Sequence, residues 1–179
     1  NRWYVGSDNI HISNNAGSTF TGSGVPGTSY IEALHKPAVA IGVSDLNADK
    51  LYVSVSPFAQ NTSSWGLYYN PPANIRKSTN GGTSFGNAAT GLPDRIFTDF
   101  AVSKTNDDSV FVTLGGFGVS HVYVSGNGGT SWTPRSNGLP DVPFNCILID
   151  SANANIIYAG CDFGIYVSPD RGANWYDFN

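Results

Sequence analysis

The chain has 179 residues, of which 12% are charged and 13% aromatic, with 21 glycines and 10 prolines, the profile of a turn-rich all-β protein. Nine Lys and Arg against thirteen Asp and Glu leave a net charge of −4, and the cations are scattered singly, which argues against a nucleic-acid surface. No run approaches the roughly 18 apolar residues of a membrane helix, and with no initiating Met, signal peptide or linker-like stretch the sequence reads as one domain of a mature or truncated chain.

In chain order, a β-rich segment at Arg2-Trp-Tyr-Val-Gly6 leads to a polar turn at Ser13–Phe20. The one helical candidate follows, short, around Tyr30 to Leu34. Three stretches then match without gaps: Val43–Ser54, Val102–Thr113 and Ile149–Gly160. Each is an apolar strand end, a polar Asn-containing turn and a second β-rich strand. A further shared element, Gly91-Leu-Pro-Asp94 and Gly138-Leu-Pro-Asp141, joins one unit to the next, and Gly24-Val-Pro26 reads as its worn copy. The last unit predicts strand A at about Phe144 to Asp150, B at Ile156 to Cys161, C at Gly164 to Ser168 and D at Asn174 to Phe178. That is a four-stranded antiparallel meander. Units fall at about 1–22, 38–85, 96–133 and 144–179. Because Arg2–Gly6 matches Ile156–Gly160, the first unit begins at its strand B and lacks strand A.

Each unit carries one eight-residue turn. The copies are Ser13-Asn-Asn-Ala-Gly-Ser-Thr-Phe20, Ser78-Thr-Asn-Gly-Gly-Thr-Ser-Phe85, Ser125-Gly-Asn-Gly-Gly-Thr-Ser-Trp132 and Ser168-Pro-Asp-Arg-Gly-Ala-Asn-Trp175. The third place (Asn15, Asn80, Asn127, Asp170) bonds the loop backbone and tolerates a left-handed conformation. The fifth (Gly17, Gly82, Gly129, Gly172) supplies positive φ without a Cβ clash. The eighth (Phe20, Phe85, Trp132, Trp175) can bury a large ring beneath the turn. A supersecondary unit recurring at such a period marks a repeat fold.

This pattern resembles the Asp-box, or BNR repeat, of sialidase-like β-propellers. The resemblance implies a propeller of four-stranded antiparallel blades. About three and three-quarter blades are present, and the typical ring of about four to eight makes the chain part of a larger propeller, its other blades supplied by the rest of the protein; a compact four-blade ring is the alternative. Asn instead of Asp in three boxes removes charge and argues against calcium there. The boxes are read as structural.

A strand A–B turn centred between Asn153 and Ala154 would set Cys146 opposite Cys161, so a cross-strand disulfide and two small buried thiols are both open. A bridge, and the sequon Asn61-Thr-Ser63, would favour a secreted or cell-surface protein.

In propellers of this type the B–C loops and D–A connections share the face that carries ligands, so candidate residues are sought where the repeat breaks. The Pro57–Ile75 insertion carries Phe58, Trp65, Tyr68 and Tyr69, which either stack on sugar rings or a protein partner, or pack on their own blade. Asp99 stands where other units have Ala40 and Cys146; a carboxylate there needs a partner or water, and Arg95 is close in sequence. Phe117 lies on a glycine-rich loop tip. Asp162 is a weaker candidate because Asp8 occupies the matching place. His11, His35 and His121 are far apart, so no metal site is legible, and no cofactor motif appears.

The resemblance points three ways. Sialidases of this group need an arginine cluster, a Tyr nucleophile with a Glu, and an Arg-Ile-Pro-type motif; five arginines, the lone Glu32 and no such motif speak against one. Xyloglucanase-like members use paired Asp residues, and inverting hydrolysis needs carboxyls roughly 6.5–9.5 Å apart; Asp99 is the low-ranked acid/base candidate. The favoured expectation is a non-catalytic module presenting its loop face to a polysaccharide or a protein partner.

Overall fold

A computed structural model of the chain describes residues 1–23, 36–60, 67–69 and 72–178. The expected helix at Tyr30–Leu34, the segment Gly24–Pro26, Trp65 and the sequon at Asn61 lie outside them.

The fold is all-β, a row of antiparallel sheets in simple up-and-down order. The first holds three strands, β1 (Trp3–Gly6), β2 (Ile10–Ser13) and β3 (Thr21–Ser23). The second is β4 (Ala38–Val43), β5 (Leu51–Val55), β8 (Asn74–Ser78) and β9 (Gly86–Asn87), with a two-stranded ribbon, β6 (Phe58–Gln60) and β7 (Leu67–Tyr69), inserted between β5 and β8. The third is β10 (Phe97–Val102), β11 (Val110–Leu114), β12 (Val122–Ser125) and β13 (Thr133–Pro134). The fourth is β14 (Phe144–Ile149), β15 (Ile157–Cys161), β16 (Gly164–Ser168) and β17 (Tyr176–Asp177). These are propeller blades, with β4, β10 and β14 packed side by side as inner strands.

The core is the set of layers between blades, and strand periodicity builds it. On β5, Leu51, Val53 and Val55 face the first blade with Ile10, while Tyr52 faces the third. On β11, Val110, Val112 and Leu114 face the second blade with Phe97 and Phe100, while Phe111 faces the fourth with Phe144, Ile147 and Ile157. Both strands are therefore buried on both sides and read as unbroken apolar runs. Gly42 makes one approach possible: a Cβ there would lie 2.6 Å from that of Phe100.

The four glycine-cornered turns share one hydrogen-bond geometry. In each, the first-place hydroxyl donates to the third-place side chain at 2.8–2.9 Å and accepts the fifth-place N–H at 2.7–2.9 Å. The third-place oxygen then accepts the seventh-place N–H at 2.8–3.0 Å. The fifth-place glycines sit at φ +82° to +88°. The fourth place is left-handed too, with Gly81 and Gly128 in two copies but Ala16 (+56°) and Arg171 (+59°) in the others, a strain the sequence pattern did not signal.

Two details differ from expectation. The D strands of the last three blades span two residues and start after the eighth-place aromatic; in the fourth that residue leaves its own sheet, the Trp175 N–H donating to Asn137 O of the preceding blade. Cys146 and Cys161 are free thiols. The β14–β15 register sets Cys146 opposite Gly160 and Cys161 opposite Phe144, with a bulge between, so the sulfurs are not cross-strand partners. The same bulge recurs at Ala38/Ala40 and Phe97/Asp99.

Candidate functional site

At one end of the blades the B–C loops meet the D–A connections. The two Gly-Leu-Pro-Asp segments fold alike: Leu92 and Leu139 N–H donate to Ala89 and Ser136 O, and Arg95 and Val142 N–H donate to Pro93 and Pro140 O. Gly91 and Gly138 supply the positive φ these turns need. Each Asp then reaches its own blade's B–C loop, Asp94 Oδ1 accepting Ala73 N–H at 3.0 Å and Asp141 Oδ1 accepting Gly118 N–H at 2.7 Å. The connection is thus a clamp, built alike after the second and third blades.

Between the second and third blades this framework leaves a cleft of about 240 Å³, walled by Phe58, Arg95, Ile96, Gly115 and Gly116 among others. Phe58 is 39% exposed and directly opposite Tyr69 on the inserted ribbon, with Tyr68 opposite Ala59. Arg95 donates from Nη1 to Asp94 O at 2.8 Å and from Nη2 to Phe117 O at 3.4 Å, tying the D–A connection to the neighbouring glycine loop. Phe117, 62% exposed, stands at that loop's tip. Two candidates far apart in sequence, Phe58 and Arg95, therefore line one cleft, and Arg95 ties the Phe117 carbonyl beside it. The cleft joins an apolar ring, a guanidinium and backbone polar groups, a combination suited to a hydroxylated ring or a peptide.

Asp99 is elsewhere. Its Oδ1 accepts Phe100 N–H at 2.9 Å and its Oδ2 accepts Ile147 N–H at 3.0 Å, from the next blade's inner strand. Beside it, the Thr98 hydroxyl donates to Phe144 O at 2.6 Å. The partner expected from sequence, Arg95, is engaged at the cleft instead. Asp99 replaces the Ala40 and Cys146 of other blades as a brace between β10 and β14, its half-buried carboxylate met by backbone donors. Asp162 lies exposed on the fourth B–C turn, accepting from Asn145 Nδ2 at 2.8 Å.

No family model matches the chain, and no curated protein matches it. Solved structures do. An ancestral GH74 enzyme superposes with a TM-score of 0.72 at 21% identity, covering 97% of this chain and 22% of that one. A GH74 xyloglucanase from Xanthomonas campestris gives 0.69 at 17%, covering 99% and 29%. YCF48 bound to D1 peptide gives 0.50 at 11%, covering 98% and 77%. The likeness shows a shared propeller fold. This chain spans less than a third of the length of either GH74 chain.

Sequence reasoning passed over His121, noted only as lacking a metal partner. Its Nε2 lies 2.9 Å from Asp141 Oδ1, and its ring is 2% exposed. The signal was available, since the matching places hold Asn74 and Gly164. Among the described residues no group of three His, Cys, Asp or Glu is placed to hold a metal ion, and no helix is long and apolar enough to cross a membrane.

The opposite end carries charge bridges between blades. Arg2 pairs with Asp49 of the second blade, and Lys50 with Asp107 and Asp108 of the third at 2.8 and 2.6 Å. The Tyr52 hydroxyl donates to Asp107 O, and burial with the adjacent Asp108 and Asp107 charges pushes that phenol far above its ordinary range. The glycine-cornered turns lock onto this end, Gly81, Gly128 and Arg171 N–H donating to Asp49, Asp108 and Asn155 O.

Proposed function

We propose that this chain is the polysaccharide-binding part of a larger extracellular propeller, and that the cleft lined by Phe58 and Arg95 holds the glycan. The observation that carries this is the convergence of those two residues at one cleft of the loop face, with the Phe117 loop tied to its wall. Their chemistry fits a sugar chain: aromatic faces stack on the apolar faces of pyranose rings, and a guanidinium donates to hydroxyls in a fixed fork. The naming of fold neighbours as GH74 enzymes, one of them a xyloglucanase, makes xyloglucan oligosaccharide the first probe. Arg95→Ala and Phe58→Ala should each weaken binding about tenfold by titration calorimetry, the scale of one lost stacking or hydrogen-bonding contact. Asp99→Asn, at the brace, should leave affinity unchanged. Native affinity in both cleft variants would sink the reading.

A second reading, hydrolysis by the longer protein, draws on the same neighbours. Asp99 is poorly suited as its acid/base, with both oxygens engaged by backbone N–H groups. Release of reducing ends from xyloglucan by this chain, abolished in Asp99→Asn, would reverse that judgement.

The larger ring is supported by blade faces. Beneath the fourth blade, Ala101, Phe111 and Val122 are no more than 8% exposed. The matching face of the fourth blade itself shows Leu148 at 63% and Ile165 at 46%. On the first blade Trp3 and Val5 are about half exposed, where Ile157 and Ala159 are buried in the fourth. Apolar faces of this kind are where further blades fit. An intact mass for the natural protein well above 19.0 kDa is expected, and one at that mass would refute it.

A further inference from the structure

The loop at 115–120 separates two hollows of the ligand face, the cleft described above and one of about 430 Å³ walled by Val119, His121, Leu139 and Asp141 among others. Gly116 and Gly118 both sit at positive φ, and Phe117 between them projects into solvent. Such a loop has little packing of its own to hold its shape. Two ties do so. Arg95 grips Phe117 O from one side, and Asp141 grips Gly118 N–H from the other.

Asp141 is 60% exposed at its side chain, yet one of its oxygens is fixed by two donors, Gly118 N–H and His121 Nε2. Together they hold its carboxyl below the usual range, the Gly118 bond first and the His121 bond second. His121 is itself immobile. Its N–H donates to Ser136 Oγ at 2.9 Å, its carbonyl accepts Leu114 N–H, and its ring lies 5.8 Å from that of Phe144. The Asp–backbone clamp recurs at Asp94 and Ala73, where Asn74 stands at the matching place. Among the described residues the His121 Nδ1 has no hydrogen-bond partner, so Asp141 is the side chain through which the ring acts.

We infer that His121 is a positioning residue for ligand: through Asp141 it fixes Gly118, and so sets where the loop that ends in Phe117 stands beside the Arg95 cleft. The binding half of this rests on the cleft reading; the loop half does not.

The test uses the full chain with His121→Leu, His121→Gln (which keeps an N–H donor) and Asp141→Ala, an exposed site whose change leaves the core untouched. Hydrogen exchange of peptides covering 115–120 reads the loop, and xyloglucan oligosaccharide affinity reads the cleft, with Arg95→Ala alongside. Expected are at least tenfold faster loop exchange and about tenfold weaker binding in His121→Leu and Asp141→Ala, with His121→Gln within threefold of native in both. Native loop protection in a folded Asp141→Ala chain overturns the inference. So does a released loop with native affinity while Arg95→Ala binds weakly. If Arg95→Ala also binds as native does, the cleft reading falls and takes the ligand role of His121 with it.

Discussion

Trp175→Ala should remove about 3–5 kcal/mol of stability in urea unfolding, the scale of emptying a buried indole site. Trp175 is 3% exposed and packs in the layer with Phe111, Phe144 and Ile157. Its ring N–H donates to Arg135 O at 2.8 Å and its backbone N–H to Asn137 O, both on the preceding blade. Truncation therefore opens a cavity and strands a carbonyl in one step. Trp132 repeats the arrangement one blade earlier, with its ring N–H on Ala88 O at 2.8 Å, and Phe85 packs in the layer before that. Phe20 is the internal control. It holds the same place in its turn but is 43% exposed, so Phe20→Ala should cost about 1 kcal/mol or less. Equal losses at Phe20 and Trp175 would show that these rings support only their own turns and do not join blades.

That contrast shows what residue patterns could and could not disclose. The turn template, the matched A–B stretches and the Gly-Leu-Pro-Asp joints are local, so blade order and the missing inner strand of the first blade were readable without coordinates. The fourth blade's D strand is shorter than the expected Asn174 to Phe178 because its eighth-place aromatic satisfies the blade before it, a contact about 40 residues away in sequence. Of the two open readings of Cys146 and Cys161 neither holds: one bulged residue at Asn145 moves the register by one, which periodicity cannot see, and leaves Cys146 an exposed thiol and Cys161 a half-buried one. At the candidate site, Phe58 and Phe117 stand out as breaks in the repeat and Arg95 only as a neighbour of Asp99, and the meeting of Phe58 with Arg95 at one cleft depends on how loops from neighbouring blades lie together. Asp99 was equally conspicuous, and its two donors are backbone amides, which carry no residue signature. His121 was legible as a departure from Asn74 and Gly164 but was weighed only as a metal ligand.

Lys50→Met should cost about 2–3 kcal/mol at neutral pH, less than the ~3–5 expected for breaking a wholly buried pair because Asp108 is half in water. Lys50 is 7% exposed and spans two blades, its ammonium held by Asp107 and Asp108, with Lys77 3.7 Å from the latter. Methionine keeps the length and apolar stem of the side chain, so the loss reports charge-assisted hydrogen bonds and not packing. The pH dependence follows from both partners. The Lys50 hydrogen bond lowers the Asp108 carboxyl against the opposing effect of burial. A depressed folded value means the stabilisation is fully present above the unfolded Asp pKa of about 3.9 and disappears as pH falls through the folded one. Burial pulls the Lys50 ammonium down, but its bonds to Asp107 and Asp108 leave it raised overall. Its share is therefore complete below the unfolded Lys value of about 10.4 and is lost as pH climbs past the folded one. The gap between native and Lys50→Met chains should then be widest on a plateau from about pH 5 to 9 and narrow at both extremes. Half a molar salt should trim that plateau only modestly, since a buried ammonium is poorly screened. A gap that stays constant from pH 7 to pH 2.5 would mean that the Lys50 contribution does not run through the Asp107 and Asp108 carboxylates.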